Sequence, residues 1–141
     1  MPPKANAQDV ATVEGILRAM YEVISGPAGK ARDWERWRTL YVPEARLMPA
    51  VGGEKPHVRV LSPEEYIRRV EPIFAREDFW ERETGREVTT FGRVAHVLSH
   101  YESLRDPNGP PFETGTNSVQ LFFDGARWWL VSVMWNTSRS G

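Results

Sequence analysis

The side chains in this sequence that could do acid–base or metal chemistry are few, and spacing places most of them. There are three histidines and no cysteine, so thiolate nucleophiles, disulfides and cysteine-ligated zinc are excluded. His96 and His100 stand four apart in "RVAHVLSHYES", which alternates like a strand. Four strand residues span roughly 13 Å, too far for one metal ion, although the same spacing on a helix would serve. Parity sets both histidines opposite Ala95, Val97, Ser99 and Tyr101. They are therefore expected on an outer sheet face, at an interface or the surface, with a catalytic role as the alternative. Tyr101 and Ser99, with Asn117 and Ser132 from later strands, fall on the inner face. Either they orient a small ligand in an apolar cavity or they satisfy one another as core polar groups. His57 lies in "GGEKPHVRV", where it reads as an ordinary loop-edge residue. Glu81 and Glu83 alternate with Arg82 and Arg86 in "FWERETGRE", a mixture that predicts a solvated strand face.

These residues need elements to hold them, and the 141 residues supply one domain's worth. Val10, Val13, Ile16, Leu17, Met20 and Ile24 recur at helical spacing, with Asn6 or Asp9 as cap and Gly26-Pro27 as stop. A second, shorter helix in "KARDWERWRTLY" spaces Trp34, Trp37 and Tyr41 three and four apart before Pro43. In "SPEEYIRRVEPIF" Ser62 and Glu65 form a capping box, Pro63 takes the first position and Ile67, Val70 and Phe74 make the stripe. Pro72 kinks or ends that third helix. From residue 79 four long alternating runs follow, separated by Gly92, "DPNGPP" and "DGA". A shorter strand around Ala45 to Pro49, and another near Val58 to Leu61, precede the third helix. The expectation is an α+β fold with three N-terminal helices on one face of a strongly curved, mostly antiparallel sheet, the whole enclosing a pocket. Residues 1–8 are expected to form a loose tail on a single domain spanning 1–141.

An even-length turn at Asp124-Gly125 divides the last hairpin into two faces. One holds Asn117, Val119, Leu121, Phe123, Trp128, Leu130, Ser132 and Met134; the other holds Thr116, Ser118, Gln120, Phe122, Trp129, Val131, Val133 and Trp135. The first suits the core and pocket. The second is too apolar for open solvent and too polar for a dry core, so Gln120, Phe122, Trp129 and Trp135 join His96 and His100 in an expected dimer interface. A bulge would exchange the sets partway along. Trp34 and Tyr41 wall the mouth of the pocket or pack on the sheet, and Met48, Phe74 and Met134 are assigned to its lining.

Phe91-Gly92, Ala95-His96-Val97, Tyr101-Glu102-Ser103, Asn117-Ser118, Gln120-Leu121 and Asp124-Gly125 with Trp128-Trp129 form a joint pattern over three strands. With "LYVPEARL" and "SPEEYIRRVEPIF", it resembles the nuclear transport factor 2-like superfamily, the cystatin-like α+β cone that includes SnoaL-like cyclases and ketosteroid isomerases. Within it, the chain is similar to small bacterial members lacking an assigned reaction. The resemblance implies a cone with an internal pocket and dimerisation through the outer sheet face. Members resembling ketosteroid isomerase carry a carboxylate base on the strand after the second helix. Here Ala45-Arg46-Leu47-Met48-Pro49 offers only Arg46 as an ionisable group, and the inner face of the later strands is expected to supply no Asp or Glu. Dehydratase-like members use a His and Asp pair, for which only His57 and Asp33 are candidates.

The net charge of −1 and scattered Lys and Arg give no footprint for nucleic acid or an anionic membrane. No apolar h-region opens the chain and no stretch approaches 18 apolar residues, so a cytoplasmic protein is expected. Phosphate loops, G-x-S-x-G, H-E-x-x-H and dinucleotide fingerprints are absent. The expected partners are a small-molecule ligand or substrate and a second copy of the chain, with no cofactor or metal. Three readings stand: a cofactor-independent isomerase, cyclase or dehydratase using Tyr101, Tyr41 and His57; a non-catalytic binder; and a dimeric module whose outer sheet face does the work.

Overall fold

A computed structural model of the chain describes residues 4–136. Its elements run α1 (Ala7–Val10), α2 (Val13–Ile24), α3 (Trp34–Arg38), β1 (Tyr41–Val51), β2 (His57–Val58), α4 (Pro63–Phe74), β3 (Trp80–Phe91), β4 (Val94–Leu104), β5 (Pro111–Phe123) and β6 (Trp128–Asn136). The expected first helix is two. Thr12 is extended and its hydroxyl accepts from the Gly15 amide at 2.9 Å, capping α2 and breaking the run. Gly15 lets α1 fold back on α2, since a Cβ there would stand 2.7 Å from the Gln8 carbonyl oxygen. Part of the stretch expected as a tail is thus helical, and Asp9 and Val10 are buried, Asp9 gripping Arg36 of α3 with bonds of 2.8 and 2.9 Å.

The second helix is shorter than its spacing predicts, ending at Arg38, so Tyr41 opens β1 instead of sharing a helix side with Trp34. Pro43 falls inside this strand, where the pairing with β6 shifts between Tyr41 and Arg46 and no ladder bond is demanded of it. The capping box of α4 forms as expected: Ser62 and Glu65 exchange bonds of 3.1 and 2.9 Å. Pro72 is accommodated in the last turn, the helix ending at Phe74.

The six strands lie in the order β2-β1-β6-β5-β4-β3. Strands β3 to β6 form an antiparallel meander, and β1 joins parallel to β6. Ile16, Leu17 and Met20 of α2 and Ile67 and Phe74 of α4 share one core with Ala95, Val97, Val119, Leu121 and Val133 of the sheet. Burying such side chains stabilises by about 1.5–3 kcal/mol each, which fixes the inner face of every strand that carries one. Among the described residues, no helix is long and apolar enough to cross a membrane.

Two bulges decide what faces inward. In β3, Glu83 pairs with Tyr101 but Gly85 pairs with His100, leaving Thr84 extra. In β6, Leu130 pairs with Leu121 but Ser132 pairs with Gln120, leaving Val131 extra. Each extra residue exchanges the two faces of its strand beyond it.

Candidate active site

Between the helices and the inner sheet face lies a cavity of about 380 Å³, within the range of small-molecule sites. Its wall is aromatic. Trp37 of α3 stacks on Tyr66 of α4 with ring centres 5.2 Å apart and leans on Tyr41 of β1 at 4.3 Å. Trp135 of β6 meets Tyr66 edge-on, and Phe74 and Phe79 stack at 5.1 Å.

Against this wall stands Glu81 of β3, which no reading of the sequence placed here. The β3 bulge turns Glu81 and Glu83 inward, opposite Ser103 and Tyr101, so the expectation of a solvated face is wrong for both carboxylates. The claim that the inner face supplies no acid fails with it: Glu81 and Glu113 both line the cavity. Burial pushes the Glu81 carboxyl up to about 7, with the nearby Glu113 charge adding to the rise and a 3.1 Å bond from the Ser103 hydroxyl opposing it. Glu81 is thus poised to gain or lose a proton near neutrality.

Four tyrosines surround it. Tyr21 of α2 is spent: Asn117 donates to its hydroxyl at 2.9 Å, and Ser99 donates to Glu83 at 2.6 Å. Ser99 has one proton, so at the 2.7 Å contact Tyr21 donates to Ser99. The hydroxyls of Tyr41, Tyr66 and Tyr101 have no such bonds among the described residues, and no buried side-chain polar atom lacks a partner. These three hydroxyls therefore keep surface within the cavity. Burial is the main cause that raises all three pKa values, so they stay protonated and able to donate.

Tyr101 owes its pose to Gly115, its cross-strand partner. A Cβ at Gly115 would come within 2.6 Å of the Tyr101 ring carbon bearing the hydroxyl, so only glycine lets the ring lie across β5. Glu81 pairs with Ser103, two residues from Tyr101 on the same face. Such diagonal neighbours are about 7–8 Å apart at the backbone and within reach of long side chains.

The other predicted residues fall as follows. Tyr41, Tyr101, Phe74 and Asn117 line the cavity, and Ser99 stands behind it, fully buried. Trp34 lies outside the lining, stacked on Phe74 and donating to Glu71 at 3.1 Å. Met48 faces away from Leu47 and Pro49, which do line the cavity, and pairs with Met134 on the outer side. Ser132 and Met134 are turned outward by the β6 bulge, Ser132 bonding Gln120 at 3.2 Å. The same bulge brings Val133 and Trp135 inward, so Trp135 belongs to the pocket and not to the outer face. His57 is exposed on β2, donating to the Lys55 carbonyl at 2.9 Å, while Asp33 caps α3 through the Arg36 amide. No bond joins His57 to Asp33 among the described residues.

On the outer face, His96 bonds Ser118 at 3.0 Å, and His100 bonds Thr116 at 2.8 Å and donates to Glu87 at 2.9 Å. Trp129 donates to Asp124 and is covered by the Arg127 guanidinium at 3.5 Å.

No protein-family model matches the sequence, and no curated protein matches it. Solved structures do. A protein of unknown function with a cystatin-like fold from Nostoc punctiforme superposes with a TM-score of 0.70 over 98% of this chain and 97% of its own, at 9% identity. The chain has the cystatin-like, NTF2-like fold. A dehydratase candidate of the NTF2-like family from Streptomyces avermitilis matches with a TM-score of 0.63 at 22% identity, over 94% of this chain and 97% of that one. A scytalone dehydratase candidate from Novosphingobium aromaticivorans gives 0.64 at 11% identity, over 92% and 83%. At these identities the likeness speaks for the fold, and the NTF2-like fold hosts its chemistry in sites that differ from chain to chain.

Proposed function

We propose that this chain is a cofactor-independent acid–base enzyme acting on a small, largely apolar carbonyl compound, with Glu81 as the proton-transfer group. The observation that carries the reading is a carboxyl, pushed up by burial to about 7, in an aromatic cavity that also holds the unspent hydroxyls of Tyr41, Tyr66 and Tyr101. Ionised Glu81 takes a proton from the carbon beside a carbonyl, and the electron pair left behind moves onto the carbonyl oxygen. A hydroxyl from Tyr101, Tyr66 or Tyr41 donates to that oxygen as charge develops. Protonated Glu81 then returns the proton to another carbon, completing an isomerisation, or to a departing hydroxyl, completing a dehydration. The dehydratase candidates among the structural neighbours fit this class of reaction.

Exchange of α-protons tests the reading before any natural substrate is known. With 1-tetralone in deuterated buffer at pH 8, the protein should accelerate deuterium uptake followed by proton NMR, and Glu81→Gln should lower that acceleration by about 10²-fold or more. Equal exchange in the two proteins would remove Glu81 from the chemistry.

A specific observation supports a second role for the same chain, self-association through the outer sheet face. Phe91, Val94, Phe122 and Trp129 pair in one row across four strands, with Phe91 65% and Phe122 40% exposed. A contiguous apolar row of this kind is a candidate contact surface, and a homodimer would cover it. Sedimentation velocity of the wild type should report a dimer that Phe122→Asp converts to monomer; a monomeric wild type would sink this reading.

A further inference from the structure

We propose that the substrate is an organic acid, held with its carboxylate at the cavity mouth by Arg69 and Arg76 and its apolar body directed inward toward Glu81. The assignment rests on the reading of the cavity as a substrate site and adds the chemical class that the site admits.

Three arginines belong to the cavity lining, Arg69, Arg76 and Arg105. Arg105 is committed. It pairs with Glu77 at 2.9 Å, donates to the Asp78 carbonyl at 3.0 Å and lies 4.0 Å over the Phe112 ring. The side chains of Arg69 and Arg76 have no hydrogen bond or ion pair among the described residues. Both are exposed as residues yet line the cavity, which places them at its opening. Their spacing is no accident of a charged surface. The helical sense of α4 continues past Phe74, since the Glu77 amide still bonds the Ile73 carbonyl at 2.9 Å. Seven residues therefore bring Arg76 back to the azimuth of Arg69 within about 20°, some 10 Å along the axis. Tyr66, Val70 and Ile73, which lie between or beside them on that face, line the cavity too.

The charges inside set the ligand's direction. Glu77 is neutralised by Arg105, so the mouth is left with the positive groups of Arg69 and Arg76, while the interior holds the Glu81 carboxyl. An anion pushed inward would meet that carboxyl; the same anion at the mouth meets guanidiniums suited to carboxylate oxygens. An acid with a ring-bearing or branched body thus enters body first, and its reactive carbon reaches Glu81 while its charge stays near solvent.

Calorimetric titration with naphthalene-2-carboxylate and its neutral counterpart naphthalene-2-carboxamide tests the assignment. The wild type should bind the carboxylate roughly fivefold more tightly, the strength of two partly solvated ion pairs, and the preference should shrink in added salt. Arg69→Gln/Arg76→Gln should abolish the preference by lowering carboxylate affinity more than carboxamide affinity, and carboxamide binding that persists reports an intact cavity. Equal binding of the two compounds by the wild type, a preference that survives the double substitution, or no binding of either at millimolar concentration would overturn the proposal. Glu81→Gln separates it from the acid–base reading. A carboxylate preference kept in Glu81→Gln alongside unchanged proton exchange would leave the arginine site standing and retire Glu81, and the reverse pattern would do the opposite.

Discussion

The proposed chemistry rests on one side chain, Glu81, and the cost of burying it can be measured apart from any reaction. Its folded pKa of about 7 lies above the ordinary 4.5, so between those values the folded chain binds more protons at this site than the unfolded chain does. Stability then falls as pH rises through that window, and the penalty is complete above about 7. Gln mimics the neutral acid and escapes the penalty. We expect Glu81→Gln to gain about 2 kcal/mol relative to wild type on going from pH 5 to pH 8. Urea unfolding at the two pH values checks it, and a difference that does not change with pH would deny that burial raises the Glu81 pKa. At the same scale, Tyr101 was legible in the sequence because strand alternation fixed its face. The role of Gly115 was not, because a glycine seen alone does not reveal which ring needs the space above it.

Strands and helices were legible to the extent that their periodicity was continuous. The capping box of α4, the meander and its turns all follow from local patterns, since caps and turns are chosen within a few residues. What local pattern could not supply was the phase of a strand after a bulge. Counting back from the β3–β4 turn without interruption would put Arg82, Thr84 and Arg86 inward; the extra Thr84 puts Glu83 and Glu81 there instead. Gly85 beside it was the available clue, since glycine inside a strand often marks a bulge. The β6 bulge has no such mark, because Val131 and Ser132 are ordinary strand residues. Its consequence separates two tryptophans that alternation had put together. Trp129→Ala should weaken self-association, and Trp135→Ala should leave association intact while lowering naphthalene-2-carboxamide affinity, both read by sedimentation and calorimetry on the same samples. Loss of the dimer in Trp135→Ala would mean that the β6 face assignment is wrong.

Taken whole, the molecule assigns its two sheet faces to different tasks: the inner face, with α2, α3 and α4, builds the cavity, and the outer carries the apolar row and the histidines. The fold class was readable from the order of helices then strands, because layered packing leaves few ways to bury one face of each. The proposed acid–base centre was not, because its groups come from β1, α4, β3 and β4 across distances in sequence that no local pattern spans. The most direct test of the account is a carbon-13 NMR titration of the glutamate carboxyls, with Glu81→Gln supplying the assignment. One carboxyl should titrate with a midpoint near 7, vanish from the spectrum of the variant and shift when naphthalene-2-carboxamide fills the cavity. If the Glu81 resonance instead titrates with the solvent-exposed glutamates near 4.5, the cavity does not hold a proton-transfer group and the account fails.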